Sequence, residues 1–197
     1  SELSTHHAHK AVAIHHGQNF REPPKLAIDC VHRLTAGRPF LLYVGSRFGY
    51  KNFESMLRAF GALNSSGPDA LTLLCFGGGA FTATELALAH SAGIASNRLV
   101  FTEGADSLLS AAYCLARAFV YPSLEEGFGI PLLEARAAGC PVACSYIPVF
   151  QEIMGDSVIY FDPRSIDSIV DALEAASSVE RTRGIGSLLS STADMPS

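Results

Sequence analysis

The chain has 197 residues, 48% hydrophobic and 17% charged, with a formal net charge of −5. That length and apolar content suffice to bury a sizeable core and exclude an intrinsically disordered chain. The acidic balance argues against a general nucleic-acid binder, no apolar run reaches the roughly 18–20 residues of a membrane-spanning helix, and the polar start carries no signal-peptide pattern.

Residues 1–37 read as an N-terminal extension or interdomain linker. They hold a His-rich start (His6, His7, His9, His15, His16), a short apolar run at Ala11–Ile14, and Arg21-Glu22-Pro23-Pro24. The histidines read as exposed linker residues, with a metal site as the alternative. From Phe40 onward short apolar runs alternate with amphipathic stretches. Strands are expected at Phe40–Gly45, Leu71–Phe76, Leu99–Thr102, Ala118–Tyr121, Pro141–Cys144 and Val158–Phe161, each continuous enough to be buried on both faces. Helices are expected at Phe53–Leu63, with Asn52 as N-cap, and at Thr82–Ala92, Ser107–Ala116, Pro131–Ala138 and Ser165–Ala176. A Ser/Thr/Gly-rich tail, residues 179–197, is expected to fray.

The alternation predicts an α/β domain over residues 38–178. Its expected form is a Rossmann-like parallel sheet of about six strands with helices on both faces. Ligands of such sheets bind beyond the carboxyl ends of the strands. The loops to search are therefore Gly45–Asn52, Gly77–Phe81, Thr102–Ser107, Pro122–Gly129 and Ser145–Pro148. The five cysteines, Cys30, Cys75, Cys114, Cys140 and Cys144, are odd in number, and Cys140-x3-Cys144 has no second Cys/His pair beside it. They read as small thiols in a reducing cytosol rather than a zinc site.

The segment Tyr121–Gly139, YPSLEEGFGIPLLEARAAG, is the most informative. A strand ends, a loop carries Glu126 and Gly127-Phe128-Gly129, and a helix starts near Ile130-Pro131. Glycines admit a ligand close to the backbone, and the N–H groups of a helix start attract phosphate or sugar hydroxyls. Glu126 and Glu134 would repel a phosphate but accept hydrogen bonds from sugar hydroxyls. Taken alone, two such acids read more readily as partners of the helix dipole; Gly127-Phe128-Gly129, Pro131 and the preceding strand turn the reading toward a ligand site. Gly77-Gly78-Gly79 reads either as a phosphate cradle or as a permissive turn, and Arg47 and Lys51 either as donor contacts or as solvated loop charges. Thr102 borders the position expected for a nucleotide base.

Glu126-Gly127-Phe128-Gly129-Ile130-Pro131-Leu132-Leu133-Glu134 resembles the E-x7-E signature of the retaining nucleotide-sugar glycosyltransferases of family 4, which have the GT-B fold. Gly45-Ser46-Arg47 with Lys51-Asn52, Gly77-Gly78-Gly79, Val149–Asp156 and Tyr160–Pro163 resemble further motifs of that family, in the same order. The resemblance implies one half of a GT-B fold, the C-terminal, donor-binding domain. It implies that Glu134 binds the donor ribose, that Glu126 holds hydroxyls of the transferred hexose, and that the Gly127, Phe128, Gly129 and Ile130 backbone meets hexose and diphosphate. Lys51 would neutralise the leaving diphosphate, with Gly45, Ser46, Arg47, Gly77 and Thr102 lining the donor site. The family usually has an arginine five residues before that lysine. Here the position is Ser46, and Arg47 stands one place later.

The implied activity is transfer of a hexose from a nucleotide-diphosphate sugar to a hydroxyl, with retention, in the cytoplasm and without a cofactor or metal. The GSRFGYKNF stretch resembles mannosyltransferase-like members of polysaccharide assembly, which places GDP-mannose ahead of a UDP-hexose. The acceptor, a saccharide or lipid-linked saccharide, would bind through an N-terminal domain not present in this sequence. An acceptor on a lipid leaves room for peripheral membrane association of the full enzyme. The donor half alone is expected to be inactive. Two rivals stay open: a non-catalytic nucleotide-binding module, and a GT-B epimerase or phosphorylase.

Overall fold

The strands are built from branched and aromatic residues, and successive side chains go to opposite faces. In the computed structural model, which describes residues 22–63 and 70–179, six parallel strands form one sheet. They are β1 (Phe40–Val44), β2 (Thr72–Phe76), β3 (Leu99–Thr102), β4 (Ala118–Tyr121), β5 (Val142–Ser145) and β6 (Ile159–Phe161). Their order is β3-β2-β1-β4-β5-β6. Between and before them lie α1 (Lys25–Leu34), α2 (Phe53–Leu63), α3 (Ala83–Ser91), α4 (Asp106–Leu115), α5 (Ile130–Ala137), α6 (Pro148–Met154) and α7 (Ile166–Ser177). Each expected strand and helix is present, with bounds within one residue of expectation.

The alternation within each strand divides the core into two layers. Phe40, Leu42, Val44, Leu74, Phe76, Phe119, Tyr121, Val142 and Cys144 pack beneath α1, α4, α5 and α6. Their neighbours Leu41, Tyr43, Leu73, Cys75, Ala118, Val120 and Ala143 pack beneath α2, α3 and α7. The four inner strands are buried throughout, whereas the edge strands β3 and β6 are only partly covered.

Two helices go beyond the sequence reading. Helix α1 lies within the stretch read as extension or linker, yet it buries Ala27 and Val31 and packs against α4. Pro24 precedes it in extended backbone, and Ala27, Val31 and Leu34 at helical spacing are the signal that the preceding Pro-Pro obscured. Helix α6 is only seven residues long and starts on Pro148. The His-rich start and the tail from residue 180 lie outside the described residues.

Asn52 corrects one expectation. It precedes α2, and its carbonyl accepts the Met56 amide at 3.3 Å. Its side chain does not cap the helix, however. It donates through Nδ2 to the carbonyls of Pro122 (3.2 Å) and Pro163 (2.8 Å), from a left-handed backbone with φ 54°. One amide thus ties the loops after β1, β4 and β6 together at the carboxyl edge of the sheet.

Candidate functional site

Chain connections from β1 run to β2 on one side, and those from β4 run to β5 on the other. The loops after β1 and β4 therefore diverge, and a crevice opens between them at the topological switch point. Both loops carry the charged residues singled out from the sequence. They are joined at the backbone by Leu124, whose amide donates to the Tyr50 carbonyl at 2.7 Å.

Lys51 ends the short 3₁₀ turn Gly49–Lys51, which delivers its side chain to the β4 loop. Its Nζ donates to Glu126 Oε1 at 2.5 Å and to the Tyr121 hydroxyl at 3.3 Å, and lies over the Tyr50 and Tyr121 rings. Ser123, fully buried, donates to the same Glu126 oxygen at 2.8 Å. The Lys51 and Glu126 side chains are only 12% and 10% exposed, so Lys51 is not the solvated loop charge that was its plain alternative. Burial opposes the charge on Glu126, but hydrogen bonds from Lys51, Ser123 and Tyr121 outweigh it and hold the carboxyl below its ordinary range.

The start of α5 follows directly. Gly129 stands at its N-cap with φ 100°, and a Cβ there would lie 3.1 Å from the Phe150 ring. Only glycine fits such a turn without strain. The amides of Gly127, Phe128, Gly129 and Ile130 donate to no acceptor among the described residues; the last two belong to the uncapped helix start and the first two to the loop before it. Phe128 and Ile130 are 47% and 56% exposed, leaving this turn open to a ligand. One turn further on, Glu134 Oε2 accepts from the Tyr113 hydroxyl at 3.2 Å. Burial raises the Glu134 carboxyl above its ordinary value; the Tyr113 hydrogen bond pulls it down and the nearby Asp106 charge adds to the rise.

The glycine-rich loop closes the other flank. Gly45 N donates to Phe76 O and Gly77 N to Thr102 O, both at 2.9 Å, which sets Gly45, Gly77 and Thr102 side by side at the strand ends. The Ser46 carbonyl accepts the Tyr43 hydroxyl at 2.6 Å. Arg47 departs from expectation. Its side chain is 2% exposed and is turned inward to Glu85 and to carbonyls of the glycine-rich loop, away from the solvated state and from a free role as a phosphate-facing side chain.

The structure thus joins Lys51 with Glu126, and Gly45 with Gly77 and Thr102. It holds Glu134 separately, through Tyr113. The sequence reading missed Tyr113, Tyr121, Ser123 and Glu85. Ser123 and Glu126 are three residues apart, and Tyr121 is the last residue of β4; that spacing and that position were the available signals.

The family model for glycosyl transferases group 1 matches residues 27–184. The chain belongs to this family. The match takes in every element of the crevice and most of α1. Among curated relatives, 64 residues are 47% identical to O-antigen chain mannosyltransferase B of Escherichia coli, covering 32% of this chain and 17% of that protein. Over a longer alignment of 177 residues the chain is 29% identical to the GDP-mannose-dependent alpha-(1-6)-phosphatidylinositol monomannoside mannosyltransferase of Mycobacterium tuberculosis, covering 84% of this chain and 45% of that one. The chain therefore spans less than half the length of either relative. Among solved structures, WaaG, a glycosyltransferase involved in lipopolysaccharide biosynthesis, superposes with a TM-score of 0.64 at 24% identity, over 81% of this chain and 44% of that one. That likeness agrees with one half of a GT-B fold.

Proposed function

We propose that this chain is the donor-binding half of a retaining hexosyltransferase that moves mannose from GDP-mannose to a hydroxyl of a saccharide or lipid-linked saccharide. The observation that carries the reading is the Lys51–Glu126 pair at the switch-point crevice, beside a glycine-shaped helix start with unengaged amides. A nucleotide-diphosphate sugar presents what such a site lacks: negative charge for Lys51 and the amides, and hydroxyl donors for the carboxylates.

In this reading Glu134 accepts from the ribose hydroxyls and Glu126 from the hexose. Lys51 exchanges part of its contact with Glu126 for the diphosphate, and stabilises the charge that builds on it as the glycosidic bond breaks. The amides of Gly127–Ile130 add fixed donors that need no reorganisation. The mannosyltransferase relatives favour mannose over glucose. The acceptor would be presented by a further domain, and the enzyme would work in the cytoplasm; no helix among the described residues is long and apolar enough to cross a membrane.

Calorimetric titration with GDP, UDP, GDP-mannose and UDP-glucose tests this. The expected result is tightest binding to the guanine pair, weakened about tenfold or more by Glu134→Ala through loss of charge-assisted hydrogen bonds. Equal binding by Glu134→Ala, or none by the parent chain, would overturn it.

A further inference from the structure

Arg47 occupies a place that its neighbours define closely. Nε donates to Glu85 Oε1 at 2.7 Å, Nη1 to the Gly77 carbonyl at 3.0 Å, and Nη2 to the carbonyls of Gly79 (2.7 Å) and Ala80 (3.0 Å). Four of its five N–H donors are committed to the protein. The guanidinium also lies over the rings of Phe81 (4.7 Å), Phe53 (5.5 Å) and Phe101 (5.9 Å). Gly78 leaves no room for change: a Cβ there would stand 2.6 Å from the Gly45 carbonyl and 3.0 Å from Arg47 Nη1.

Glu85 works with it from the other side. Its Oε2 accepts the Thr82 amide at 2.7 Å, while the Thr82 hydroxyl accepts the Glu85 amide, a capping box at the start of α3. Burial opposes the Glu85 charge, but Arg47 and Thr82 more than offset it, so the carboxyl stays below its ordinary value. One carboxylate thus locks Arg47 to the first turn of a helix.

The consequence follows from the planarity of the peptide bond. Where a carbonyl is drawn toward the guanidinium, the N–H of the same peptide plane points the opposite way. The carbonyls of Gly77, Gly79 and Ala80 face Arg47, so the amides of Gly78, Ala80 and Phe81 face away from it. Successive amides presented together form an anion-binding concavity.

The geometry points to Arg47, locked by Glu85, as a positioning residue. It holds the Gly77–Ala80 loop so that backbone amides meet the donor diphosphate, and does not itself bind the phosphate. This rests on the donor-site reading above. It also accounts for an arginine displaced by one place from the usual family position: the guanidinium has moved from the ligand to the frame of the site.

Four variants test it: Arg47→Met, Arg47→Lys, Glu85→Gln, and the double variant that combines Arg47→Met with Glu85→Gln. Glutamine keeps an acceptor for the Thr82 amide, so Glu85→Gln preserves the capping box while removing the ion pair. Backbone order parameters of Gly78–Ala80 in the unliganded protein are expected to fall from about 0.85 to below about 0.6 in Arg47→Met and Glu85→Gln. GDP affinity is expected to fall about tenfold in each, with the double variant no weaker than Arg47→Met alone. Lysine, without the planar fork, restores neither. Unchanged order parameters overturn the inference, and so does a Glu85→Gln chain that binds GDP as tightly as the parent while Arg47→Met does not. If the parent chain binds no nucleotide yet the loop loosens as expected, the donor-site reading falls and the Arg47 pin stands.

Discussion

Glu126 and Glu134 flank the same helix start, yet their surroundings move their protonation in opposite directions. Glu126, hydrogen-bonded by Lys51 and Ser123, is held low, so its pairing with Lys51 persists through mild acid and is lost only as pH falls through that depressed value. Glu134, half-buried with a single hydroxyl donor and the Asp106 charge nearby, is held high and takes up its proton first. A protonated carboxyl is a poorer acceptor for ribose hydroxyls. GDP affinity is therefore expected to drop on acidification from about pH 7 before the Lys51–Glu126 pair opens. Glu134→Gln should bind about tenfold more weakly at neutral pH and lose this acid limb, because glutamine accepts but does not titrate. Calorimetric titrations across the pH range check it; an acid limb that survives unchanged in Glu134→Gln would assign the proton to another group. Neither direction was legible in the sequence, since both acids read alike there. The difference is that Lys51, brought in from 75 residues away, helps outweigh burial at Glu126, whereas burial prevails at Glu134 over the hydrogen bond from Tyr113, 21 residues away.

At the level of elements, the helix start at Gly129 joins sequence to site most directly. Glycine, isoleucine and proline in succession marked it in the sequence, and the structure gives the reason: φ of 100° and the Phe150 ring, which a Cβ at Gly129 would meet at 3.1 Å. Gly129→Ala is expected to cost about 1–2 kcal/mol from the left-handed backbone alone, with further loss from crowding Phe150. Gly127→Ala, where a Cβ meets nothing within 4 Å, is the matched control and should remain near the parent. Urea unfolding of the two variants separates them, and equal stability would contradict the account. Periodicity made the six strands and five of the helices legible because each buries a continuous or amphipathic face. Helix α1 was hidden because it precedes the first strand, outside the strand–helix rhythm, and α6 because seven residues show hardly two turns of pattern. The glycine-rich loop was legible as a loop only. That its shape depends on Arg47 and Glu85, 38 residues apart, requires the folded chain.

Across the whole molecule, the strand order turns separate motifs into one crevice. Lys51 and Glu126 meet because β1 and β4 are neighbours in a sheet of order β3-β2-β1-β4-β5-β6. The order of motifs along the chain pointed to the family, but strand adjacency decides which charges pair. The groups proposed to meet the donor lie at the carboxyl edge, whereas the opposite edge gathers His32, Arg38 and Arg117 near the carboxyl ends of α1, α4 and α7, where cations complement the helix dipoles. The amide resonances of the chain, followed while GDP-mannose is added, compare the two edges in one experiment. Saturable shifts are expected at Gly77–Ala80 and Gly127–Ile130, with Thr35–Arg38 and Arg117 unmoved. Shifts confined to the opposite edge, or none at either, would contradict the donor-site reading.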